Sequence, residues 1–464
     1  MSSNQGSDKL NHTDSKKNQA FAVSMTEGSL WKNIFLFSCP VIFSQLLEVM
    51  FNLSDVAVVG RFADYRALGS VGSTSLLVTL FTGFLIGMGS GVNVRVAHSL
   101  GAGNQRETQE TIHTSCLICL LTGLLICIIG LTCSKTFLLM LNTKEELLDG
   151  AVSYLRIYSL GMPALGLYNF GNGVMSARGD TKRPLVYLFI AGILNVIMNL
   201  VFVIGFHMAA EGVAIASVMA QYLSAGLILH HLWCRRDVCR LQISKLRYHK
   251  VAGQAVLMLG IPGGLQQAIF AIANLFVQAG VNSFDAVTVS GNAAAANTDP
   301  LVYNSMFAFY TACASFMSRN LGAGKKDRVL KSYFICLTYA FAIGAAFGIL
   351  FLVFGHEFLS LFATEEAVIH AGRERLYVMS FSYAVSAFMD CSIAASRGIG
   401  KSIPPTIIVI LGSCVFRVIW VFTIFAHFHT LTSLYLLYFF SWAITGVAEV
   451  LYFWRSYRKL AAVR

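Results

Sequence analysis

The feature that most limits this chain is the recurrence of continuous apolar stretches about twenty residues long, 185–205 among them, parted by short polar segments. A helix of that length crosses the hydrocarbon core of a bilayer. Barrel strands would instead alternate apolar and polar residues over about 10 positions. Composition agrees: 56% of the residues are hydrophobic and 12% are charged, half the charged share typical of a soluble domain. The fold class expected is an all-α integral membrane protein.

Twelve spans are predicted, at 34–58, 68–98, 111–133, 151–175, 185–205, 211–234, 252–282, 288–318, 332–354, 376–396, 404–426 and 431–454. Alternate loops, with both termini, hold 25 basic residues, whereas the intervening loops hold only Arg61, Arg66, Lys135, Lys144, Arg373 and Arg375. The positive-inside rule then places both termini in the cytoplasm, consistent with an even number of spans. The net charge of +11 is accounted for by these loops, so nucleic acid is not an expected partner. The first 30 residues are polar and lack the apolar core of a signal peptide; they read as a cytoplasmic lead. Eleven cysteines lie mostly within apolar runs, and Cys116 and Cys119 read as helix packing rather than a metal or redox pair.

The chain also repeats itself. "LGAGNQRE" (100–107) returns as "LGAGKKDR" (321–328), and "ARGDTKRP" (177–184) as "SRGIGKSIP" (396–404). Pro40, Gln45, Asn52 and Gly69 return 222 residues later as Pro262, Gln267, Asn274 and Gly291. Six spans per copy is an even number, so the halves run in the same sense, related by an axis along the membrane normal. Transporters commonly place the substrate path at such an interface. The expected organisation is a polar segment 1–30, a six-helix lobe 31–234, a basic linker 235–250, a second lobe 251–457 and a tail 458–464.

Gln45, Glu48, Asn52 and Asp55 fall at i, i+3, i+7 and i+10, on one helical face. A charge in mid-bilayer costs about 2.5–3.5 kcal/mol even on the lenient scale, so such groups face a cavity or a bundle interior. Two acids on one stripe suit uptake of a proton or a sodium ion. The alternative for Asp55 is a place at the outer interface. In the second copy Gln267 and Asn274 persist, but Phe270 and Val277 replace the acids, which confines acidity to the first half. Asp390 and Asp299 are each candidates for coupling or for buried hydrogen bonding. Arg417 needs a counter-charge, with Asp390 or Asp299 expected to supply it. Arg95 and Glu449, near span ends, are expected to snorkel. Asn195 and Asn199 read as a helix-facing amide pair, and Pro40, Pro163, Pro262 and Pro300 as kinks. The LGAG loops lack the strand and the Lys-Ser/Thr ending of a phosphate loop and read as tight turns. With no nucleophile–base or metal-ligand set, the chain does not read as an enzyme, and energy must come from an ion gradient.

"PVIFSQ…FNLSDVAVVG", followed by "ALGSVG", "VAHSLGAGN", "SARGDTKRP" and "SRNLGAGKKDR", resembles the multidrug and toxic-compound extrusion (MATE) family over residues 31–457. The resemblance implies two pseudo-symmetric six-helix bundles in a V, a central cavity, and export of organic cations or drugs against H⁺ or Na⁺ across the plasma membrane. It places the first-helix acid on Asp55. Relatives with a sodium site in the second lobe carry an acid where Phe270 stands, and their tenth-helix acid lands on Ser386, one turn from Asp390. In the fifth helix Asn199 takes the place of an acid. Coupling through Asp55 by protons is the implied mode, with Na⁺ near Asp55 as the alternative. Glu48, Asn52, Asn199 and Asp390 complete the ion-coupling set; Gln45, Gln267, Asn274, Asn195 and Asp299 line the substrate cavity. No cofactor is expected, and the working unit is a monomer in the lipid bilayer. Two further readings are a flippase or exporter of lipid-linked or other amphiphilic substrates, which would need several basic cavity residues, and a channel or receptor.

Overall fold

The computed structural model describes residues 22–462. Among them there is no strand; apart from short turns, the chain is a succession of helices. The first half contains Leu30–Phe62, Tyr65–Gly101, Gln105–Met140, a fourth span broken into Glu145–Ser159 and Met162–Arg178, a fifth, Lys182–Leu200, prolonged by the π turn Val201–Gly205, and Ala210–Cys234. The second half contains Lys250–Val281, an eighth span broken into Ala286–Ala296 and Thr298–Gly322, then Lys326–Val353, Glu366–Gly398, Ile403–Phe428 and Leu431–Ala462. Ten of these are long and apolar enough to cross a membrane as single helices; the other two are the broken spans. Both breaks precede a proline, Pro163 and Pro300, each in the first turn of the helix that follows. A first-turn proline costs nothing, because the N–H it lacks would have no helical partner there. Pro40 and Pro262 instead sit inside continuous helices.

Two boundaries differ most from expectation. The tenth span begins at Glu366 rather than 376, because Arg373, Glu374 and Arg375 looked like loop residues; Arg375 is in fact 5% exposed. The last helix continues to Ala462 and so absorbs most of the predicted tail. The predicted polar lead lies mainly outside the described residues.

The halves meet around a pseudo-twofold axis at the end that carries the termini. Asn93 Nδ2 donates to Ser315 Oγ at 2.7 Å, across a sequence separation of 222. Gly101 and Gly322 occupy matched places in the two LGAG turns. A Cβ on Gly101 would lie 2.1 Å from the Arg319 carbonyl oxygen, and one on Gly322 would lie 2.1 Å from that of His98. Each glycine therefore admits the backbone of the opposite half, and the contact is reciprocal. Each turn closes on a second glycine, Gly103 or Gly324, at φ of +68° and +70°, where a Cβ would be strained. Further along the seam the second and seventh spans touch at Gly87 and Gly264, while Phe37 and Phe316 pack edge to face between the first and eighth.

Residues 23–28 lie across this end and hold both halves. Val23 N donates to Gly179 O at 3.0 Å in the first half. In the second, Asn320 Nδ2 donates to Met25 O at 3.1 Å, Lys325 Nζ to Thr26 O at 2.9 Å and Arg328 Nη1 to Gly28 O at 3.0 Å. The segment between the halves is pinned to the first of them: Arg178 and Arg235 both pair with Asp237, and Gln242 N donates to His113 Nε2 at 3.1 Å.

Candidate ion-coupling and substrate site

The polar stripe of the first span faces inward as its spacing demands. Glu48, Asn52 and Asp55 line one cavity of about 360 Å³ in the first half, with Tyr154, Tyr158, Asn195, Ser217 and Gln221. Gln45 and Glu48 line a second that adjoins it. No Lys or Arg lines either.

Asp55 is held by neutral donors. Its Oδ1 accepts from Asn199 Nδ2 at 2.5 Å and its Oδ2 from Ser217 Oγ at 3.1 Å. Asn195 Nδ2 donates to Ser217 Oγ at 3.3 Å, and Asn199 Nδ2 also reaches Asn195 Oδ1 at 3.3 Å. The two amides are thus not simply packing between helices; they build a cradle for the carboxylate. Hydrogen bonds to a charged acceptor are roughly twice as strong as neutral ones, so the cradle can carry an ionised Asp55 without a cation. It also leaves acceptors over: Asn199 Oδ1 and Gln221 Oε1 are buried with no hydrogen-bond partner among the described residues. Ser217 was not singled out in the sequence, where a lone serine in an apolar helix carries no signal.

The second half is built differently around a cavity of about 450 Å³ lined by Gln267, Phe270, Asn274, Asp299, Asp390, Arg417, Tyr438 and Trp442, among others. Arg417 is 2% exposed. It lies in a single α-helical turn, Phe416–Trp420, between two π segments, and its span is the repeat partner of the fifth, which also carries a π turn. The π turn is rare and is often found at functional sites. Nη1 of Arg417 donates to Asn274 Oδ1 at 2.9 Å and Nε to Ser441 Oγ at 3.4 Å. The guanidinium carbon sits 4.7 Å from the ring centre of Tyr438, 5.4 Å from Phe270 and 5.6 Å from Trp442.

Asp299 does not pair with Arg417, contrary to expectation. It pairs with Arg375 and accepts from Tyr383 Oη at 2.5 Å, while Arg375 Nη1 also donates to Asn292 Oδ1 at 2.6 Å. Asp390 lines the same cavity as Arg417 but makes no ion pair with it within 4 Å. Three aromatic faces and two neutral acceptors take the part expected of a carboxylate, each face stabilising a desolvated cation by about 2 kcal/mol. Arg95, near its span end, pairs with Glu107 in the first turn of the next helix. Glu449 does not snorkel: it is fully buried, with neither carboxylate oxygen hydrogen-bonded.

The MatE family model matches the chain twice, over residues 40–201 and 262–423. This chain belongs to the MatE family. The matched segments start 222 residues apart, the same offset as the internal repeat. Among similar proteins are two from Bacillus subtilis (strain 168). Probable multidrug resistance protein YoeA is 24% identical over 82% of this chain and 84% of its own length. Probable multidrug resistance protein YpnP is 27% identical over 78% and 81%. A solved MOP superfamily transporter from Pyrococcus furiosus Vc1 (DSM3638) superimposes with a TM-score of 0.88 at 20% identity, covering 95% of this chain and 98% of that one. The MatE fold of twelve helices in two lobes, and a role as a multi-pass membrane transporter, follow for this chain. MatE proteins are transporters rather than enzymes.

Proposed function

We propose that this MatE protein is a secondary antiporter that exports organic cations or drugs in exchange for H⁺, or Na⁺, by alternating access of its two lobes. The observation that carries the reading is Asp55: a carboxylate in a cavity free of Lys and Arg, held by Asn199 and Ser217. A group neutralised by a fixed cation keeps its charge, whereas one cradled by neutral donors can exchange an incoming ion for an incoming substrate. The unpartnered Asn199 Oδ1 and Gln221 Oε1 offer acceptors to that ion. Glu48, Asn52, Gln45 and Asn195 supply the polar wall, and Gln267, Asn274 and Asp390 the wall of the facing lobe. The closed seam around Gly101 and Gly322 is the cytoplasmic gate, with both termini on the cytoplasmic side of the plasma membrane, and the protein acts as a monomer. The boundaries 31–234 and 251–457 delimit the two moving bodies.

The test is ethidium export from proteoliposomes with a pH gradient or a sodium gradient imposed separately. One of the two drives export in the wild type, and Asp55→Asn abolishes it while the variant remains monodisperse in detergent. Export by Asp55→Asn at the wild-type rate would overturn the assignment.

A further inference from the structure

We propose that the cavity of the second half is a subsite for an oxyanion, and that Arg417 grips a carboxylate or phosphate carried by an aromatic substrate. The proposal rests on the transport reading above, since it takes this cavity as part of the substrate path.

Burying a guanidinium is expensive unless a counter-charge or a full set of hydrogen bonds offsets it. Arg417 has neither. Nη1 is taken by Asn274 and Nε by Ser441, but no hydrogen bond engages Nη2 among the described residues, and Arg417 borders the cavity. Of the two acids that share the cavity, Asp299 is committed to Arg375 and Tyr383, and Asp390 stands beyond ion-pair distance. Tyr438, Trp442 and Phe270 fix the plane of the guanidinium, and Asn274 holds its other corner. What remains is a fixed donor edge on the wall of an apolar, aromatic space of about 450 Å³. Guanidinium favours carboxylate and phosphate because its N–H groups match their oxygens in a plane. The aromatic lining favours a flat ring on the same molecule.

Binding decides the question without any gradient, so its failure is distinct from a failure of antiport. Purified protein is dialysed against three fluorescent probes of one ring system: 2-naphthyl phosphate, 2-naphthoate and neutral 2-naphthol. At least one of the two anions is expected to bind roughly tenfold or more tighter than naphthol, as charge-assisted hydrogen bonds predict; which of them does tells phosphate from carboxylate. Arg417→Gln is expected to erase the difference between the anions and naphthol. If Arg417→Gln does not fold, Asp390→Asn, which removes the competing carboxylate, is expected to tighten the anions relative to naphthol. Anions that bind no better than naphthol to the wild type overturn the proposal. So does a preference that survives Arg417→Gln, or one that Asp390→Asn leaves unchanged.

Discussion

Asp55 and Asp299 are carboxylates inside spans, one in each half, and both accept two hydrogen-bonded partners. For Asp55 the partners are an amide and a hydroxyl; for Asp299 they are a guanidinium and a phenol. The first arrangement tolerates either charge state of the acid, because its donors are neutral. The second ties the acid to Arg375, which is itself buried and bonded to Asn292, so loss of either charge strands the other. A polar residue within a span is therefore not a site by virtue of its charge alone. The chemistry of its partners decides whether it can act as a switch or serves as a fastener.

The largest effect that tests this contrast is on stability. Arg375→Leu should cost about 2–3 kcal/mol, less than for a fully buried pair because the Asp299 side chain is 35% exposed to the cavity, read as thermal unfolding in detergent. A loss below about 1 kcal/mol would put Asp299 in the same class as Asp55. Next, Val277→Asp placed in the Asp55→Asn background should fail to restore ethidium export. Position 277 packs with Val281, Trp420 and Leu434 and offers no cradle, so rescue would mean that the acid matters and its donors do not. Asn199→Leu removes one hydrogen bond to Asp55, worth about 1.5–3 kcal/mol for a charged acceptor, and should slow gradient-driven export by roughly tenfold or more; an unchanged rate would reduce the cradle to packing. The smallest effect belongs to Glu449→Gln. Relieving a buried, unbonded carboxylate should raise the unfolding midpoint, by an amount equivalent to about 1 kcal/mol, and a lower midpoint would show that Glu449 has a partner in the membrane.

Much of this was legible in the chain itself. Apolar run lengths and the 222-residue repeat point to twelve spans in two parallel copies, and the spacing of Gln45, Glu48, Asn52 and Asp55 puts them on one wall. The partners were harder to read. Arg375 looked like a loop charge because it follows Arg373 and Glu374, yet the helix starts at Glu366 and carries it inside. Ser217 and Ser441 look like filler in apolar helices, since a hydroxyl's role depends on which helix faces it. Arg417 was recognised as needing neutralisation, but rings from two other spans cannot be paired with it by any sequence period. Asn199 was read both as half of an amide pair and, from the resemblance, as part of the ion-coupling set, but its donation to Asp55 appears only when the first and fifth spans are brought side by side.

The strap of residues 23–28 carries one more consequence. It grips Gly179 in one half and Asn320, Lys325 and Arg328 in the other, and in each of these bonds the strap contributes a backbone atom. What the two halves read is therefore the count of residues, more than their identity. Side chains there are free to drift, apart from buried Met25 and Gly28 at φ +70°, while a deletion or insertion of one residue shifts every bond beyond it. The segment works as a ruler laid across the joint.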